Sequence, residues 1–135
     1  MTRILIVDDE YDLANFLAEE LKEAGFSTGT AADGVEAVLK VIGGGWDAVV
    51  MDIRMPKLDG INALKIIRQI APRLSVIMFT GQAGQGDMLE STRLGAFICL
   101  VKPLVIDKLI RTLNQALLLD GKTTVASNQA GLRGN

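Results

Sequence analysis

The chain has no histidine and a single cysteine, Cys99, so neither an internal disulfide nor a zinc site built on imidazole and thiolate is open to it. Lysine and arginine form no run and the formal net charge is −2, which removes the basic field of a nucleic-acid-binding surface. No apolar stretch approaches the ~20 residues that a membrane helix needs. The first residues, Met1-Thr2-Arg3, lead straight into an apolar strand, without the h-region and small-residue cleavage site of a signal peptide. Together these absences lead us to expect a cytoplasmic protein with no membrane segment and no direct contact with nucleic acid.

What is present is ordinary globular composition, 49% hydrophobic and 22% charged over 135 residues, enough for one domain around one core. Four short apolar runs stand out, each closed by a polar group suited to phosphate chemistry. Ile4–Val7 ends on Asp8-Asp9, Ala48–Met51 on Asp52, Val76–Phe79 on Thr80, and Phe97–Val101 on Lys102-Pro103. Such runs, separated by amphipathic stretches of helix length, predict buried parallel strands alternating with helices. A weaker, polar strand is expected at Ser27–Thr30. Its low apolar content belongs at a sheet edge, which favours strand order 2-1-3-4-5 with the switch point between strands one and three.

Helical spacing predicts the inward faces. These are Leu13, Phe16, Leu17, Leu21 and Ala24 in helix one, then Val35, Val38, Leu39 and Ile42 in helix two. Helix three presents Ile61, Leu64 and Ile67; helix four Met88, Leu89, Thr92 and Leu94; helix five Ile106, Leu109, Ile110, Leu113 and Leu117. Asp33 and Asp59, each just before a helix, read as N-caps, and Gly25 and Gly95 as C-terminal stops. The pattern ends at Asp120, so residues 1–120 are expected to form the domain, and 121–135 a tail or the start of a linker.

In an open parallel sheet, ligands bind at the carboxyl ends of the strands. Asp8, Asp9, Asp52, Thr80 and Lys102 should therefore meet at one edge. Three carboxylates there repel one another, and the arrangement is tolerable if a divalent cation and a fixed ammonium neutralise them. Oxygen-only donors point to Mg2+. Alone, each residue has a plainer role: Asp8 and Asp9 could cap helix one, Asp52 and Thr80 could begin turns, and Lys102 could be an exposed strand-end lysine. Their joint placement argues against that.

Val7-Asp8-Asp9-Glu10, Met51-Asp52-Ile53-Arg54-Met55-Pro56 with Asp59-Gly60, Thr80-Gly81, and Gly95-Ala96 followed by Val101-Lys102-Pro103 resemble the receiver domain of two-component response regulators. The resemblance covers residues 2 to 119. It implies an α/β, flavodoxin-like, doubly wound five-stranded sheet with five helices. It also implies that Asp52 accepts a phosphoryl group from a phosphohistidine on a sensor histidine kinase or histidine phosphotransfer protein. By match, Asp9, Asp8 and Asp52, with the main-chain carbonyl of Arg54, would hold Mg2+, and Thr80 and Lys102 the phosphoryl oxygens. The Lys102-Pro103 bond would be cis. The domain would be a signalling switch that catalyses only its own phosphorylation and dephosphorylation, with the helix 4–strand 5–helix 5 face available for a homodimer.

This chain departs from the family in one respect. Receivers usually carry an aromatic residue three before the lysine, and here that position is Cys99. Two alternatives to the switch are an unphosphorylated pseudo-receiver acting as a binding module, and a phosphatase of the haloacid-dehalogenase type. The second places its nucleophile after the first strand with another Asp two residues on, whereas Arg54 follows Asp52 at that distance.

Overall fold

The computed structural model describes residues 1–81 and 85–125. Ten elements alternate: β1 Arg3–Val7, α1 Tyr11–Glu23, β2 Ser27–Ala31, α2 Gly34–Gly43, β3 Ala48–Asp52, α3 Gly60–Ile70, β4 Ser75–Thr80, α4 Gln85–Arg93, β5 Ile98–Val101 and α5 Ile106–Leu119. All strands pair in parallel, in the order β2-β1-β3-β4-β5. The expected flavodoxin-like arrangement is therefore the one found, with the polar β2 at an edge and the fully buried β3 at the centre.

Alternation along the strands divides the core in two. Ile4, Ile6, Val50, Ile77, Phe79 and Leu100 pack against Leu17 and Leu21 of α1 and Leu109, Leu113 and Leu117 of α5. Leu5, Val7, Val49, Met51, Val76, Met78 and Cys99 face the other way, onto Ala37 and Val41 of α2 and Leu64 and Ile67 of α3. Among the described residues no helix is long and apolar enough to cross a membrane.

Helix ends follow their local chemistry. Asp33 accepts a hydrogen bond from the Glu36 amide and Asp59 from the Asn62 amide, each the side-chain cap of its helix. Glu36 in turn accepts from the Ala32 amide, at 2.7 Å, so both strands of this entry turn are tied. Gly25 and Gly95 terminate α1 and α4 with φ of 114° and 98°, a region closed to most side chains.

The structure corrects three helix faces. In α2 the buried residues are Gly34, Ala37 and Val41, while Val35, Leu39 and Ile42 are exposed. The reason is steric: the Gly34 amide donates to the Leu58 carbonyl, and a Cβ on Gly34 would sit 2.2 Å from that oxygen. Close approach brings the small residues inward and turns the larger apolar ones out. Phe16 is likewise half exposed, its place in the core of α1 taken by Ala14 and Ala18. In α4, Leu89 is exposed and Ser91 is buried, its hydroxyl donating to the Met88 carbonyl.

Beyond the boundary expected at 120 the chain stays in contact with the domain. Thr2 donates its hydroxyl to the Thr123 carbonyl, Lys122 its ammonium to the Asp47 carbonyl, and the Val125 amide donates to Asn114 Oδ1. The Val125 side chain packs on the α1–α5 half of the core. The rest of the expected tail, 126–135, lies outside the described residues.

Candidate functional site

Strand register builds the site. Val7 pairs with Met51, so Asp8 and Asp52 emerge together from neighbouring strands; Asp52 pairs with Phe79 and Thr80 with Val101, which brings Thr80 and Lys102 to the same edge. The backbone after Asp52 is held closely. The Ile53 amide donates to the Phe79 carbonyl, the Gly60 amide to the Ile53 carbonyl, and a Cβ on Gly60 would stand 2.2 Å from the Asp52 carbonyl oxygen. Residue 60 is glycine because the first turn of α3 presses directly on the strand end.

Asp8, Asp9 and Asp52 each bring a carboxylate oxygen to within 4.8 Å of the others. Asp8 and Asp52 are buried and Asp9 is exposed. The Lys102 ammonium lies 3.2 Å from Asp52 Oδ2 and 3.7 Å from Asp8 Oδ2, over the Phe79 ring at 5.2 Å. Thr80 is fully buried at the end of β4. The Arg54 amide donates to Asp52 Oδ1 at 3.2 Å, and the Glu10 amide to Asp8 Oδ1 at 2.9 Å. Every side chain singled out from the sequence is thus at this edge. The Lys102-Pro103 peptide is cis.

Burial pushes the Asp8 carboxyl up to about 6, against the opposing hydrogen bond from the Glu10 amide and with the Asp52 charge adding to it. Its Oδ2 is buried and accepts no hydrogen bond. Burial acts to lower the Lys102 ammonium. Glu10, Asp52 and Asp8 around it more than offset that, and its pKa lies above the ordinary lysine value. The edge therefore holds more anionic charge than one ammonium neutralises, and Asp8 Oδ2 has only the Lys102 ammonium at 3.7 Å and no hydrogen bond. That donor chemistry suits a hard divalent cation.

Two residues gain partners that the sequence does not signal. Glu10 Oε1 takes a hydrogen bond from Lys102 at 3.1 Å, across 92 positions of chain. Asp87 pairs with the Arg54 guanidinium at 2.9 Å. Neither pairing has a spacing signature, because each depends on where a long cationic side chain reaches. Gln82, two residues past Thr80, lies outside the described residues. Cys99 is buried, and burial raises its thiol pKa, the behaviour of a space-filling residue rather than a reactive one. Trp46 lies at the opposite end of β3. Its indole N–H donates to the Lys40 carbonyl, and the Arg3 guanidinium stacks 4.2 Å above its ring.

The response regulator receiver domain model matches residues 4–114. The transcriptional regulatory protein PrrA of Mycobacterium tuberculosis is 32% identical over 127 residues, covering 94% of this chain and 54% of PrrA. The chain thus spans about half the length of that relative. The response regulator TrrA of Thermotoga maritima, solved in complex with Mg2+-BeF, is 34% identical with a TM-score of 0.79, covering 87% of this chain and all of TrrA. The beryllofluoride-activated NtrC4 receiver domain, solved as a dimer, is 31% identical with a TM-score of 0.81, covering 86% of this chain and 96% of that one. Fold, strand-end chemistry and likeness in sequence agree: the chain belongs to the response regulator receiver domains, the signalling switches of two-component systems.

Proposed function

We propose that Asp52 is a phosphoacceptor that takes its phosphoryl group from a phosphohistidine on a sensor histidine kinase or histidine phosphotransfer protein, and that the phosphorylated form binds partners differently. The observation that carries this is the Lys102 ammonium bonded to Asp52 in a cluster of three carboxylates, two of them buried. An Asp52 carboxylate oxygen bonds to phosphorus as the P–N bond of the phosphohistidine breaks, the imidazole nitrogen keeping the electron pair. Lys102, charged throughout, turns from Asp52 to a phosphoryl oxygen, and the Thr80 hydroxyl donates to another from the adjacent strand. Asp8, Asp9 and Asp52, with the Arg54 carbonyl, would hold Mg2+; the oxygen-only donor set and an Asp8 Oδ2 that accepts no hydrogen bond suit it. When bound, that ion neutralises charge on the carboxylates and the phosphoryl oxygens.

The chain's own chemistry is then limited to gaining and losing this phosphoryl group, in the cytoplasm, without direct contact with nucleic acid. Residues 1–120 form the receiver in this reading, followed by a tail or linker. The exposed Leu89, Ile98, Val101 and Val105 support the α4–β5–α5 side as a homodimer face.

Beryllofluoride, which stands in for a phosphoryl group on an Asp carboxylate, tests the assignment. Its 19F resonances and the protein's amide shifts are followed with and without Mg2+, in wild type and Asp52→Asn. Trp46 fluorescence is a poor reporter, since the indole is at the far end of β3. We expect a bound signal that needs Mg2+ and vanishes in Asp52→Asn. An intact fold that binds no beryllofluoride would instead identify a pseudo-receiver.

A further inference from the structure

Arg54 is anchored at the acceptor, yet its charge is turned away from it. Its amide donates to Asp52 Oδ1 at 3.2 Å, while its guanidinium reaches Asp87 Oδ2, in the first turn of α4, at 2.9 Å. The arginine side chain is 64% exposed and that of Asp87 31%, so this is a surface ion pair, weak enough to be exchanged. A phosphoryl group on Asp52 would bring close to two negative charges beside the root of that side chain, with oxygens that match the guanidinium fork. Asp87 offers one carboxylate, further out in solvent. Cys99, which stands where receivers usually carry an aromatic residue, places its thiol against Ser91 of that helix. The Arg54–Asp87 pair is a direct side-chain link between the residue bonded to the acceptor and the first turn of α4.

We propose that Asp87 is a positioning residue acting through Arg54: it holds the guanidinium off the acceptor in the unphosphorylated chain, and phosphorylation transfers Arg54 to the phosphoryl group and releases the first turn of α4. The inference rests on the receiver reading above. Because linkage is reciprocal, a carboxylate that competes for Arg54 weakens phosphoryl binding by the factor with which phosphoryl binding weakens the ion pair.

The test is a double-mutant cycle on beryllofluoride affinity at saturating Mg2+, with wild type, Asp87→Asn, Arg54→Ala and the double variant. Both substitutions are at exposed or half-exposed positions, and thermal melts verify that the three variants fold. Asp87→Asn should bind about 2- to 5-fold tighter, the range an exposed pair supports. Arg54→Ala should bind more weakly than wild type, and Asp87→Asn should add nothing in its background. Amide shifts of residues 87–93 give a second readout. In wild type, beryllofluoride should move them toward their positions in Asp87→Asn, and in Arg54→Ala that movement should shrink. Equal or weaker binding by Asp87→Asn, or the same gain with and without Arg54, would overturn the exchange while leaving the acceptor site standing. Absence of binding by wild type, or binding that survives Asp52→Asn, would overturn both readings together.

Discussion

Asp8 keeps one oxygen buried without a hydrogen-bond partner, and its carboxyl titrates near 6 instead of 3.8. The sign of its effect on stability follows directly. Between about pH 4 and 6 the folded chain holds this proton more tightly than the unfolded chain, so stability falls as pH rises through that window and levels off above it. The ionised form costs the folded state on the order of 2–3 kcal/mol at neutral pH. In a chelator, we therefore expect the melting temperature to rise between pH 7 and pH 5. Asp8→Asn should flatten that profile and exceed wild type at pH 7; a wild-type curve flat over the same range would contradict the assignment. Excess Mg2+ should raise the wild-type value at pH 7, because a cation binds the ionised carboxylate. At this scale the strand-end motifs make the acceptor, the acidic pair, the hydroxyl and the lysine legible. Glu10 and Asp87 are not, since their partners are set by side-chain reach between distant segments.

Elements were readable in number, order and kind, because four apolar runs, one weak polar strand and the intervening spacing leave little choice of layout. The weak β2 could be placed at an edge from its polarity alone. Which face of α2 turns inward could not be read. Val35, Val38, Leu39, Val41 and Ile42 make it apolar nearly all round, and the decision falls to backbone contact between Gly34 and Leu58. Contacts of this kind are testable. Gly60→Ala puts a methyl group against the Asp52 carbonyl and should cost about 1–3 kcal/mol or more in denaturant titration, while weakening beryllofluoride binding by shifting the acceptor. Asp33→Ala removes a side-chain cap and an ion pair with Lys57, and should cost about 1 kcal/mol without altering the acceptor site. If Gly60→Ala proved neutral, the tight seat of α3 beneath Asp52 would be wrong.

Across the whole molecule, acceptor chemistry occupies one end of the sheet and Trp46, Asp47 and the docked residues 122–125 the other. The outward stripe of α2, Val35, Leu39 and Ile42, runs beside Ile66 and Ile70 on the neighbouring α3, all of them exposed. With a net charge of only −2 and a pI near 5.1, the chain loses nearly all electrostatic repulsion in mild acid. Acid thus acts in two opposed ways. The pH that relieves Asp8 and firms the fold is also the pH at which apolar stripes on separate copies meet with least resistance. Conformational stability and colloidal stability should peak on opposite sides of neutrality, and melts recorded near pH 5 call for dilute protein if they are to report unfolding rather than precipitation.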